Sequence, residues 1–95
     1  MTAYVAQFMA SRPGSTYVHD ADLAMIASTV VGVIDAHCAV DHGSLQASLV
    51  TDSIVSVVVP FQAQSDEDAA AITEQAVGSV WGWIVECGVS RMGEP

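Results

Sequence analysis

The stretch LQASLVTDSIVSVVVPFQAQSDEDAAAITEQAVGSVWGWI, Leu45 to Ile84, decides the fold. Leu45, Ala47 and Leu49 alternate with Gln46 and Ser48, the period of a strand with one covered face. Thr51-Asp52-Ser53 interrupts as a turn. Ile54 to Val59 follows, six residues of which five are β-branched aliphatics, so the two runs read as a β-hairpin over 45–62. Val55, Val57, Val59 and Phe61 share one face, with Ile54, Ser56 and Val58 on the other. Pro60 donates no hydrogen bond, which places this strand end at an edge or beyond the paired region. Ser65 then precedes Asp66, Glu67 and Asp68, a capping-box pattern that opens a helix. Ile72, Ala76, Val80, Trp83, Ile84 and Cys87 recur at three- and four-residue steps, which predicts a helix over 66–87 ended by Gly88. Val77, Trp81 and Val85 form a second stripe on its flank.

Upstream, residues 1–11 fit a strand or a helix. Tyr4 and Phe8 with Val5 favour the strand, and Arg12-Pro13-Gly14-Ser15 breaks whichever forms. Asp20 is a suitable N-cap and Asp22 complements the helix dipole. A helix is expected over 20–37, with Leu23, Ile26, Ala27, Val30, Ile34 and His37 on one stripe. Thr29 to Val33 are poor helix formers, so tertiary packing must hold the second half, and a strand over Ser28–Ile34 competes. Cys38 to Ser44 reads as a loop, and Arg91 to Pro95 as a tail.

The expected order is strand, helix, strand, strand, helix, in one α+β domain spanning 1–95. This order resembles a ferredoxin-like sandwich that lacks or hides its last strand. The resemblance covers most of the chain and rests on topology rather than on a motif. It implies two helices on one face of a small antiparallel or mixed sheet, with valines on the bare face. The alternative order is helix, helix, strand, strand, helix.

Composition narrows the function classes. Eleven acids face two bases, Arg12 and Arg91, with no lysine, for a net charge of −9. Phosphate neutralisation needs clustered Lys and Arg, so nucleic-acid binding and adsorption to anionic membranes are disfavoured. A basic protein surface, a divalent cation or simple solubility fits such a charge, and solubility is the ordinary reason for it. Hydrophobic content of 52% leaves little polar surface for the outside, which argues for a homo-oligomer or a permanent partner, and the bare sheet face points to a homodimer. No run is long enough to span a bilayer, and no signal peptide is visible. Two cysteines are too few for a disulfide scaffold, so a cytoplasmic protein with reduced thiols is expected. The lysine-free, Ala- and Val-rich composition is that of a high-GC genome, such as an actinobacterium or its phage.

Asp35, His37, Cys38, Asp41 and His42 are the densest set of chemically capable side chains. On a continued helix, Cys38 and His42 would share a face, as would His37 and Asp41. His37, Cys38, Asp41 and His42 could then hold a metal ion, or His42 could activate the Cys38 thiol. The same residues are ordinary helix-terminus and turn composition. His19-Asp20 reads as a cap, and Asp66-Glu67-Asp68 as dipole complement without calcium-loop spacing. Trp81 and Trp83, two apart on a helix, would point about 200° apart. Trp83 fits the core stripe, which leaves Trp81 either on the flank of the same core or as an interface anchor together with Val77 and Val85. No phosphate loop or nucleophile turn is present, and no cofactor is expected. The reading is a small acidic, non-enzymatic interaction module, such as a phage or host inhibitor of one protein target. A metal-binding or thiol-dependent protein is the alternative.

Overall fold

A computed structural model describes residues 1–14 and 17–92. Ser15 of the expected break and residues 93–95 of the expected tail lie outside the described residues. The chain forms β1 (Thr2–Ser11), α1 (Asp20–Asp35), β2 (Ala39–Val40), a 3-10 turn (His42–Ser44), β3 (Gln46–Thr51), β4 (Ile54–Ala63), α2 (Asp66–Gly78) and β5 (Ile84–Arg91). It is an α+β structure: two helices and a five-stranded sheet in which every recorded pairing is antiparallel. β1 lies between β4 and β5, while β2 and β3 lie in turn along the far side of β4.

The period-two pattern explains which face is covered. Tyr4, Ala6, Phe8 and Ala10 of β1 and Val55, Val57, Val59, Phe61 and Ala63 of β4 are all buried. Ile26, Val30, Val31 and Ile34 of α1 and Ala69, Ile72 and Ala76 of α2 close over them. Phe61 stacks on Tyr4 with centroids 5.9 Å apart. Packing onto this sheet is what holds the β-branched second half of α1 helical.

The cap and the end of α1 differ from expectation. α1 begins at Asp20, with His19 as the flanking residue, so Asp20 is not the cap. The Asp22 carboxylate instead accepts from the His19 N–H at 3.1 Å. The helix ends at Asp35 rather than at 37, and Ala39–Val40 pair with Gln62 and Phe61, so part of the expected loop is a strand.

The larger correction concerns 66–87. Ser65 caps α2 as its sequence predicts, accepting from the Asp68 N–H at 3.2 Å. The helix ends at Gly78, however, and 84–91 is a strand. The Ser79 hydroxyl donates to the Ala76 carbonyl at 2.6 Å and takes up one of the last helical acceptors. Gly82 then takes a positive φ of 80°, open to glycine at little cost, and turns the chain. Val85 and Val89 pack toward the core at a spacing compatible with either period, which disguised the strand. A last strand is therefore present.

Pro60 is also corrected. It pairs opposite Val5 inside β4, short of the strand's end, with β1 on one side. Its missing N–H falls at the gap between β2 and β3. There its carbonyl accepts from the Asp41 N–H at 2.9 Å, and the Asp41 carbonyl accepts from Ser44 in the 3-10 turn at 3.2 Å. The proline is tolerated because the neighbouring strand breaks beside it.

Candidate functional site

The expected metal set is dispersed. With α1 ended at Asp35, residues 38–42 are no longer on a helical face, and nearly extended chain carries residues four apart to roughly 13 Å rather than about 6 Å. His37 and Cys38 line a cleft of about 290 Å³ with Gln62, Gln64, Asp68 and Gln75. Asp41 instead lines a separate groove beside Pro60. His42 turns back to Asp35, with Nε2 3.5 Å from the carboxylate. Among the described residues, no three His, Cys, Asp or Glu side chains gather as a metal site.

The thiols have the electrostatics of unactivated cysteines. Burial first, and the Asp68 carboxylate second, push the half-buried Cys38 thiol above its ordinary range. Partial burial raises Cys87 too, with a hydrogen bond to Thr73 opposing it. Both directions lower the thiolate fraction at neutral pH, opposite to what a nucleophile needs.

Both arginines are engaged in tying the fold together. Arg91 grips Asp66 with two hydrogen bonds, Nε at 2.9 Å and Nη2 at 3.1 Å, and the Tyr4 hydroxyl donates to the same carboxylate at 2.6 Å. These donors, Arg91 foremost, hold Asp66 below the usual carboxylate range. The Asp66 carboxylate in turn raises Tyr4 above the usual phenol range. Arg12 reaches Asp22 at 3.0 Å and lies 4.6 Å from the centroid of the Trp83 ring. Asp22 is also lowered, first by the His19 backbone N–H and then, in part, by Arg12. Neither base is part of a basic cluster that could follow a phosphate backbone.

The expected interaction stripe of Val77, Trp81 and Val85 does not exist as a helical face, because α2 ends before Trp81. Val77 on α2 and Val85 on β5 are partly buried against the core. Trp81 alone of the three is exposed, at 88%, on the turn between α2 and β5. Trp83, two residues on, packs against the core under Arg12. Ile84, 56% exposed, begins β5 next to this turn. Sequence reading missed Ile84 as a surface residue because it assigned the side chain to the helix core stripe.

β5 is an edge strand. It has eight residues, and no proline or lysine interrupts it. The opposite edge is broken by the 3-10 turn and by an irregularity between Leu49 and Thr51. Such breaks blunt an edge against foreign strands, and β5 has no equivalent. No helix among the described residues is long and apolar enough to cross a membrane. No family model matches the chain, and no curated protein does either.

Proposed function

We propose that this chain is a non-enzymatic protein-interaction module that works in the cytoplasm as a homodimer. The observation that carries the reading is Trp81. A tryptophan held 88% in water on a glycine turn contributes almost nothing to its own fold. Tryptophans are enriched among the residues that dominate binding between proteins. Ile84 and the unblunted β5 edge extend the contact surface from Trp81 along one side of the molecule. The carboxylates of α2, Asp66, Glu67, Asp68 and Glu74, favour a partner whose surface is basic. Inhibition or regulation of one target protein fits such a surface.

The underlying architecture reads as ferredoxin-like. β5 beside β1, β1 beside β4, and an interrupted strand beyond β4 support that reading, with β5 as the last strand. Fold alone does not imply function, so the proposal stands on the surface residues.

The test is affinity capture with wild-type chain and with Trp81→Ala side by side, at low and high salt. Wild type is expected to retain a partner that salt releases, while the variant retains little of it and keeps the wild-type circular dichroism spectrum. Equal retention by both proteins removes Trp81 from the account.

A further inference from the structure

The helices cover one face of the sheet, and alternation assigns the residues of the other. Ala3, Val5, Gln7, Met9 and Ser11 come from β1, and Ile54, Ser56, Val58, Pro60 and Gln62 from β4. Gln46 and Ser48 of β3 and Ile84, Glu86, Gly88 and Ser90 of β5 complete it. Charge is distributed unevenly. Of the described acids, only Glu86 stands within this face, with Asp41 at its rim. The rest lie on the two helices, on the helix termini or in the Asp52 turn. The polar groups of the face satisfy one another in part, as Gln7 Nε2 donates to Ser56 Oγ at 3.5 Å. At its centre is a groove of about 350 Å³ lined by Val5, Gln7, Val58, Gly88 and Ser90. Gly88 lacks the side chain that would fill it, and a Cβ built there meets nothing within 4 Å.

We infer that this open face is where a second copy of the chain docks, sheet against sheet. The inference rests on the homodimer proposed above and names its surface. Two chains of net charge −9 repel wherever carboxylates meet, so self-association favours the face poorest in them, where Glu86 stands alone toward the β5 side. Face-to-face sheets stand about 10 Å apart. With about 10 Å more for each layer, the carboxylates on the helices of the two copies lie roughly 30 Å apart, well beyond a Debye length of about 8 Å.

Area supports the same occupant. Four strands spaced about 4.8 Å apart, each about 20–33 Å long, outline a flat face of roughly 500 Å². Side-chain relief raises this to roughly 600–800 Å² per copy, so the pair hides roughly 1,200–1,600 Å², the size of a stable specific interface. Val5, Met9, Ile54 and Val58 form the apolar knobs, and the Gly88 groove is the hole that receives one from the second copy.

Sedimentation velocity across a concentration series tests this with wild type, Gly88→Glu and Gln7→Glu. Gly88→Glu fills the groove with a charge where the backbone has room for a side chain. Gln7→Glu is isosteric, exposed and on β1, one strand in from the β5 edge and opposite Gly88, so it changes the face and leaves the outer backbone of β5 untouched. Wild type is expected to be a dimer, and each variant to dimerise about tenfold or more weakly, because each buries two unpaired carboxylates. A dimeric wild type that Gln7→Glu leaves unchanged overturns the face and directs attention to β5 edge pairing, while the homodimer survives. A wild type that stays monomeric at high concentration overturns both. If Gly88→Glu fails to fold, Gln7→Glu alone decides.

Discussion

Truncating the two tryptophans one at a time separates the turn at 79–83 from a continuous helix. Trp83 is partly buried against the core, and its ring lies 4.6 Å from the Arg12 guanidinium carbon. Replacing it with alanine removes roughly 100–150 Å² of buried ring, a share of the 150–250 Å² an aromatic typically buries. At about 25 cal/mol per Å² this is about 2.5–4 kcal/mol. A compact unfolded chain reduces the figure to about 2–3 kcal/mol. The lost cation–π contact adds about 0.5–1 kcal/mol. Trp83→Ala therefore costs about 3 kcal/mol, or about 12–24 °C in melting temperature for a chain of this size. Trp81 is 88% exposed, and the little that is covered corresponds to well under 1 kcal/mol. Urea unfolding followed by far-ultraviolet circular dichroism measures both losses without relying on tryptophan emission. Two equal losses of several kcal/mol would refute the turn, because they would place both rings in the core.

Ser65→Ala should destabilise the protein by about 1 kcal/mol, since the Asp68 N–H loses its acceptor, and the urea midpoint measures it. Acid should weaken the fold through Asp66 and Asp22. Their folded values are depressed, so their contribution is present above the usual carboxylate value of about 4 and lost as pH falls through the lower folded values. Asp66→Asn should flatten the acid limb of a stability–pH curve, and an unchanged limb would contradict the role given to Arg91. Tyr4 acts at the other end. Its raised value makes its contribution complete below about pH 10 and lost as pH rises through the folded value, so Tyr4→Phe should flatten the alkaline limb. Both cysteines should alkylate slowly at pH 7, with the half-buried Cys38 slower than the exposed Cys87. Faster reaction at Cys38 would revive the thiol-dependent reading.

Local chemistry made some elements legible. The hairpin announced itself because Val55, Val57, Val59 and Phe61 recur at period two between turn residues, and all four are buried. Ser65 was legible because a cap depends only on its own neighbours. Other features depended on tertiary context. Ile84 to Val89 offers apolar residues at both helical and strand spacings, and pairing with β1 selects the strand. The loss of one-sidedness after Gly78 was the available signal, since a helix on a small sheet has no use for an apolar back. Pro60 misled because its cost depends on a break at 41–45, between two other strands. The His37–His42 cluster dissolved because a two-residue strand, too short to leave a pattern, pulled it straight. Of the residues selected for interaction, Trp81 is at the surface, while Val77 and Val85 were tied to it by a helix that stops at Gly78.

The central position of β1 bears on how the chain is made. Thr2–Ser11 is translated before either of its neighbours, since one is 54–63 and the other is 84–91. Tyr4 waits for Arg91, nearly the whole chain later, which is about 4–17 s at roughly 5–20 residues per second. Until 54–63 emerges, Tyr4 and Phe8 have no strand to pair with, and until 84–91 emerges one side of β1 stays open. Long-range pairing of this kind also slows folding once synthesis is complete. Maturation is therefore set by arrival of the last strand, and a chain truncated before Ile84 leaves the first strand without one of its two neighbours.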